Sequence, residues 1–511
     1  MRRPFLLLAI LLTGLSALRW AAGLGADLIP DEAYYWAWSL RPAACYWDQP
    51  GGIAWAHYLW GLLFGSGLAS LRALAVGCSL LVSLLLYRLL RRVLPERTAF
   101  WSVLVLQVVP LFSAGATLIL HDSLLLVFAV WAVDVWLQTL LEDRPKLWLP
   151  FGGLAALALY AKFSAAILFV GLALATLLHP TGRRHLRAWQ PYLGAMLGLV
   201  LFLPVLTWNA NHRWVAYYAV RRLSFDPDVV DWQRLVSLLD FLGGQLGVVT
   251  PVLAVLALAA AWAVLRRRGP ETAARLLLVA PALTILAYFL VNSLRAKIQA
   301  NWPAIAWLLL VPLGVDLAFR WRERRPRAAR WCLGAGVGLA LLTTLLFYAQ
   351  VFTGALPLKP DITDQFYDWR GLTRFVAQTR VSIGRPEIPL AARNYQTAAE
   401  LLYHLPDRPD FYMADFAHRG SQFSLWQDYE KLVGKDVLFV DEGFMPGKYK
   451  RHFSEIVDLG SYGRRRGKKG IATYHLIWAK GFHMAGPEVE YMEDAVTHHI
   501  WRAKKREARG K

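Results

Sequence analysis

Two adjacent carboxylates, Asp31 and Glu32, stand in the run Pro30-Asp31-Glu32-Ala33-Tyr34-Tyr35-Trp36, directly after the first long apolar stretch of the chain. An ionisable side chain at membrane depth costs roughly 3 kcal/mol, so its position points to function by default. As chemistry, such a carboxylate takes the proton from an attacking hydroxyl. As structure, both acids suit a helix start after Pro30, where the dipole is positive. Asp48 and Gln49 follow in Tyr46-Trp47-Asp48-Gln49-Pro50-Gly51-Gly52, amid tryptophans and tyrosines typical of the headgroup level. That aromatic belt accounts for the rings and leaves three carboxylates to explain.

Further polar groups interrupt the apolar segments. His121-Asp122-Ser123 is squeezed between two apolar runs, where Asp122 is a candidate acid and equally a helix cap. Lys162 stands between Tyr160 and Phe163, where it snorkels to headgroups or holds an anion. Two cationic stretches complete the set: Asn209, Asn211, His212 and Arg213 with Arg221 and Arg222, then Arg295, Lys297, Gln299 and Asn301. Cations of this kind hold a phosphate and stabilise its charge as it departs. Carboxylates and cations together fit transfer of a group from a lipid phosphate. One base suffices there, because phosphate leaves without protonation; attack in line on the anomeric carbon inverts it.

The elements that must position these residues are membrane helices. Of 511 residues, 56% are hydrophobic and 18% charged, with mean hydropathy +0.35, against about 25% charged in soluble domains. Apolar runs near 5–24, 67–87, 99–119, 122–140, 147–161, 163–178, 190–208, 245–265, 274–292, 302–319 and 331–351 predict a polytopic α-helical membrane protein of about eleven helices. Arg2 and Arg3, Arg88 to Arg97, Arg144 and Lys146, Arg183 to Arg187, Arg266 to Arg268 and Arg320 to Arg330 then fall on one side, the cytoplasmic one. Residues 25–66, the hinges at His121 and Lys162, the 209–244 and 293–301 loops and all after about 352 fall outside. The net charge of +20 is mostly this topology signal and implies no nucleic acid. The first apolar run reads as an uncleaved helix, since Arg19 and Trp20 interrupt a cleavage region. Cys45, Cys78 and Cys332 offer neither a disulfide framework nor a zinc motif.

Residues 1–351 therefore read as a catalytic membrane domain and residues 352–500 as a periplasmic soluble α/β domain, followed by a basic tail at 501–511. Strands are expected at 388–392, 411–415, 437–441 and 471–478, and helices at 369–380 and 397–404.

In order along residues 1–350, Asp31-Glu32-Ala33-Tyr34-Tyr35-Trp36, Tyr46-Trp47-Asp48-Gln49-Pro50, Asp122, Tyr160-Ala161-Lys162-Phe163, Trp208-Asn209-Ala210-Asn211-His212-Arg213-Trp214 and Asn301-Trp302-Pro303 resemble the polyprenyl-phosphate-dependent GT-C glycosyltransferases. The resemblance is to the bacterial branch related to protein O-mannosyltransferases, which includes lipid A aminoarabinose and galacturonic acid transferases. It implies an inner-membrane enzyme facing the periplasm, with a polyprenyl-phosphate sugar donor and a lipid A, polysaccharide or protein acceptor. Asp31 then matches the proposed general base, Glu32 its neighbour, Asp122 the second acid, Lys162 a lysine near the donor phosphate, and His212 with Arg213 a polar turn. Tyr34, Tyr35, Asp48, Gln49 and His121 are the candidate substrate contacts around them. Some members bind a divalent ion near the first acid, and no ligand set here demands one. Where the family has a basic residue and two prolines after the third acid, this chain has Gln49-Pro50-Gly51-Gly52. Donor contacts are therefore expected at Lys162, Arg213, Arg221 and Lys297, and the turn itself is expected to be more flexible. The rival readings are a transporter of lipid-linked sugars and a noncatalytic glycan binder. Charges gathered on one face, with no inverted repeat, weigh against the first. The second leaves Asp31 and Asp122 without a task.

Overall fold

Helices dominate the computed structural model, which describes residues 2–224, 231–267, 269–414, 420–486 and 488–501. Seven of the described helices are long and apolar enough to cross a membrane: Arg3–Gly23, Leu68–Leu90, His121–Leu141, Gln190–Asn211, Glu271–Ser293, Ala304–Arg324 and Pro326–Thr353. Trp232–Val249 and Pro251–Arg266 make an eighth if counted together, bent by 100°. The bend falls at Thr250, whose φ of 75° is costly for a β-branched residue, and Pro251 removes the next backbone donor.

The remaining expected runs take shorter forms. Pro110 divides the run near 99–119 into Glu96–Val108 and Pro110–Gly115. The runs flanking Lys162 form Trp148–Ala161 and Ala165–Leu178, 14 residues each. At 1.5 Å per residue each reaches about 21 Å, short of the roughly 30 Å hydrocarbon core.

By contacts the chain divides into two compact units. One comprises Met1–Gly23, Ala69–Thr207 and Arg221–Tyr348; the other comprises Leu24–Leu68, Trp208–Val220 and the chain from Ala349 onward. In the first unit close helix approach relies on missing side chains. A Cβ on Gly152 would lie 1.9 Å from the Gly194 carbonyl oxygen, so the Trp148–Ala161 and Gln190–Asn211 helices touch backbone to backbone. Its buried acids are matched. Asp134, fully buried, accepts from Arg88 Nε and Arg92 Nε, each at 2.7 Å, as a carboxylate out of water requires.

The second unit carries a five-stranded sheet in the order β2-β1-β3-β5-β4, with β1 at Leu390–Ala392, β2 at Phe411–Met413, β3 at Val437–Asp441, β4 at Phe453–Arg466 and β5 at Lys469–Phe482. β1 is parallel to both β2 and β3, and β5 is antiparallel to both β3 and β4. Central β3 is buried at every position, and Phe439 packs with Ala391, Tyr429 and Phe482. All four expected strands are present, Val437–Asp441 with the expected ends and the other three with shifted ends; Asp415, at the end of one expectation, lies outside the described residues. Helices Trp369–Ser382 and Tyr395–His404 stand where helices were expected.

Strand β4 was not expected. It is an edge strand interrupted by Gly460 and Gly463 and ending in three arginines, so it lacks clean apolar alternation. Two of them nonetheless turn inward: the Arg464 guanidinium lies 3.5 Å from the centre of the Trp369 ring, and Arg466 Nη1 donates to Thr363 Oγ1 at 2.9 Å, while Arg465 stays exposed. Of the basic tail, only Trp501 is described; residues 502–511 lie outside the described residues. The protein is thus a polytopic α-helical molecule with a C-terminal α/β sheet domain.

Candidate active site

In the helical unit, Asp122 occupies the first turn of His121–Leu141, where its charge suits the helix dipole. Ser123 Oγ accepts from the Leu120 backbone N–H at 3.2 Å and closes the same turn. Lys162 sits in extended backbone between Trp148–Ala161 and Ala165–Leu178. From there its buried ammonium reaches Asp122 Oδ1 at 2.9 Å and Oδ2 at 3.0 Å. Asn301 Nδ2 donates to Asp122 Oδ2 at 3.1 Å, and the Trp302 ring centre lies 6.0 Å from the Lys162 ammonium. Three motifs that the sequence presents separately therefore form one cluster. An acid held from both sides has its orientation set before a substrate arrives, and snorkelling alone does not account for a lysine so engaged. His121 is buried beside it in sequence, whereas Lys297 and Arg221 are exposed.

In the other unit, Pro30–Trp38 presents Asp31, Glu32, Tyr34 and Tyr35. The fully buried Glu32 accepts from the Ile29 backbone N–H at 3.1 Å, so it closes its own helix start. Asp31 is half-buried and accepts from the Tyr395 hydroxyl at 3.0 Å. The Tyr34 and Tyr395 rings lie 4.3 Å apart, and the Tyr34 hydroxyl accepts from the Gln422 backbone N–H at 2.7 Å. Loss of hydration first, then the charges of Asp31 and Asp48, pushes the Tyr35 phenol well above its usual range. Tyr35 therefore remains a hydrogen-bond donor at neutral pH, and one ring senses both acids.

The Asp48 turn is closed, which corrects the expectation of a flexible one. Tyr46 N–H donates to the Gln49 carbonyl at 2.9 Å, Cys45 bridges Pro50, and Gly51 N–H donates to the Ala44 carbonyl at 2.9 Å. A Cβ on Gly51 would lie 2.1 Å from the Ala43 carbonyl oxygen. Glycine here permits close backbone approach and does not loosen the turn. The Trp47 backbone N–H donates to Gln422 Oε1 at 2.9 Å. Asn209 Nδ2 donates to Cys45 Sγ at 3.3 Å, and burial pushes the Cys45 thiol up to about 12, which keeps it an unreactive thiol.

His212 stacks on Trp208 at 3.8 Å between ring centres, and its Nδ1–H donates to the Trp208 carbonyl at 2.8 Å. Arg213 binds Asp494 and Thr497. Arg213 and Trp214 both hold left-handed backbone, with φ of 54° and 61°, a strained arrangement for two non-glycine residues. Tyr395, Gln422 and Asp494 carry no local signal of these roles, since each acts through a partner hundreds of residues away. Asn301 was visible as one polar residue of a cationic loop and as the start of the Asn301-Trp302-Pro303 motif, with no role assigned to it. Among the described residues, no three His, Cys, Asp or Glu side chains gather so as to hold a metal ion.

These apolar helices with a sheet-bearing C-terminal region match the fold of solved GT-C glycosyltransferases. The family of dolichyl-phosphate-mannose-protein mannosyltransferases matches residues 48–208. The chain is 26% identical over 392 residues to the lipid A galacturonosyltransferase RgtD of Rhizobium johnstonii, covering 75% of this chain and 78% of that protein. Its fold matches ArnT from Cupriavidus metallidurans in the apo state, with TM-score 0.57 at 15% identity, and bound to undecaprenyl phosphate, with TM-score 0.58 at 16% identity; both cover 92% of this chain and 97% of ArnT. The oligosaccharyltransferase of Archaeoglobus fulgidus, in complex with Zn and sulfate, matches with TM-score 0.53 at 13% identity over 88% of this chain and 69% of its own. The chain thus has the GT-C fold and resembles the branch that modifies lipid A. RgtD and the Archaeoglobus fulgidus protein are transferases by name, and none of these relatives favours the transport reading.

Proposed function

We propose that the protein transfers a sugar from a polyprenyl-phosphate donor to a lipid A-type glycolipid, at the periplasmic face of a bacterial inner membrane. The observation that carries this reading is the Asp122–Lys162–Asn301 cluster within a GT-C fold. The name of RgtD supports lipid A over a polysaccharide or protein acceptor, and the one-sided arginines support the orientation. Residues 1–351 supply the membrane domain in this reading, and residues 352–500 the periplasmic one.

An acceptor hydroxyl attacks the anomeric carbon. The bond from that carbon to the phosphate oxygen breaks, and its electron pair leaves with the polyprenyl phosphate. The hydroxyl proton passes to Asp31 as general base. Attack opposite the leaving group inverts the anomeric centre. Lys162 offsets the charge gathering on the phosphate, while Asp122, itself oriented by Asn301, holds its ammonium in place. Arg221 and Lys297 are exposed cations for the donor's remaining charge. Glu32 positions Asp31 by closing the helix start that carries it. Tyr34, Tyr35, Asp48, Gln49, His121 and His212 serve substrate binding, and Arg213 holds its turn through Asp494.

The test is transfer of labelled sugar from a panel of polyprenyl-phosphate donors to lipid A by purified protein in lipid, comparing wild type with Asp31→Asn. Transfer by wild type, lost in a folded variant that still binds donor, is expected. Equal transfer by both would remove Asp31 from the mechanism. Donor crossing the bilayer without transfer would overturn the reading in favour of transport.

A further inference from the structure

A groove of about 490 Å³ lies within the helical unit, formed by faces of three helices and lined by none of the candidate catalytic residues. Its size is within the roughly 300–1,000 Å³ of ligand sites. From Glu96–Val108 it takes Arg97, Trp101, Leu104, Val105 and Val108, a spacing that places them on one helix stripe. Ala304–Arg324 contributes Phe319 and Arg322, and Pro326–Thr353 contributes Arg330, Leu333, Gly334 and Val337, again along one face. The arginines lie toward the helix ends and the apolar residues run inward from them.

The charge is of one sign. Arg97, Arg322 and Arg330 are exposed, and no carboxylate lines the groove. Arg97 lies 5.9 Å from the centre of the Phe319 ring, and Arg330 Nε donates to the Pro326 carbonyl at 3.1 Å. Neither contact neutralises a guanidinium. A neighbouring cavity of about 530 Å³ is also rich in arginine, but it contains the carboxylates of Asp316 and Glu323, and its Arg275 and Arg320 both engage Asp316. Among the described residues no carboxylate lines the groove beside these three guanidiniums, and three cations above an apolar wall complement a ligand with an anionic head and a hydrocarbon tail. By the distribution of arginines this end faces the cytoplasm, where the leaflet is rich in anionic lipid.

We infer that this groove binds one anionic phospholipid of the inner leaflet, its phosphate between Arg97, Arg322 and Arg330 and one acyl chain along Trp101, Val105, Leu333 and Val337. Gly334 leaves the floor open, since a Cβ built there meets nothing within 4 Å. None of the candidate donor contacts lines this groove, and its occupancy does not depend on the proposed reaction.

Native mass spectrometry of delipidated protein, titrated with phosphatidylglycerol or phosphatidylcholine, reads the occupancy directly. Wild type is expected to retain one phosphatidylglycerol at least tenfold more tightly than phosphatidylcholine. Arg97→Gln with Arg322→Gln and Arg330→Gln should reduce that preference to near unity, while Arg144→Gln, on the same side but outside the groove, should not change it. Gly334→Trp keeps every arginine and fills the floor, so it should lower retention at least fivefold if the lipid lies there. Absence of preference in wild type overturns the proposal without reference to any variant. So does equal retention by the triple variant, an equal loss in Arg144→Gln, or displacement of phosphatidylglycerol by lower concentrations of undecaprenyl phosphate, which would make the occupant the donor lipid.

Discussion

The Lys162 ammonium contacts both carboxylate oxygens of Asp122, at 2.9 and 3.0 Å, across 40 residues of sequence. With side-chain exposures of 11% and 21%, this is a largely buried pair, and removing one partner strands the other.

Lys162→Met is therefore expected to destabilise the protein by about 3 kcal/mol and to slow transfer by on the order of 10²–10³. Asp122→Asn combined with Lys162→Met should recover much of the stability but none of the rate. Thermal unfolding in detergent and single-turnover transfer separate the two effects; recovery of both together would make the pair purely structural.

Asp31→Asn is expected to reduce transfer by on the order of 10²–10⁴, the usual contribution of a general base. Tyr395→Phe removes one hydrogen bond to that carboxylate, worth about 1.5–3 kcal/mol when the acceptor is charged. It should slow transfer by roughly tenfold or more with little change in donor affinity. A variant whose KM alone rises would show that Tyr395 binds substrate.

Gly51→Ala drives a methyl group to within 2.1 Å of the Ala43 carbonyl oxygen. Relief requires the Asp48 turn to shift, at a cost of about 2 kcal/mol or more. A lower unfolding midpoint with weakened transfer is expected, and an unchanged midpoint would contradict the close approach.

His404 makes stability depend on pH. Burial, then the Arg370 charge, lowers its imidazole from 6.5 to about 4, against the pull of Glu400 Oε2 at 3.5 Å. Between those values the unfolded chain binds a proton that the folded chain rejects. This contribution is complete above pH 6.5 and is lost as pH falls toward 4, by on the order of 3 kcal/mol. Unfolding midpoints at pH 7 and 4.5 should diverge less in His404→Gln than in wild type.

Much of the architecture follows from local patterning. Apolar runs announce their helices because each must satisfy its own backbone within hydrocarbon. The strand at 437–441 was legible because its residues are buried without interruption. Strand β4 was not, since an edge strand needs no apolar alternation and two of its arginines find inward partners only in the folded chain.

The sequence alone determined that this is a many-helix membrane protein with a sheet-bearing C-terminal region, and which acids and cations stand where bare charge is costly. Residue type and hydropathy are local properties, so they are legible without contacts. Tertiary structure alone decided how those charges are used. It pairs Lys162 with Asp122, supplies Tyr395 to Asp31 and commits Arg213 to Asp494. Such pairings arise between residues from 40 to 364 positions apart. At the longer separations only the folded path of the chain brings the partners within hydrogen-bonding distance.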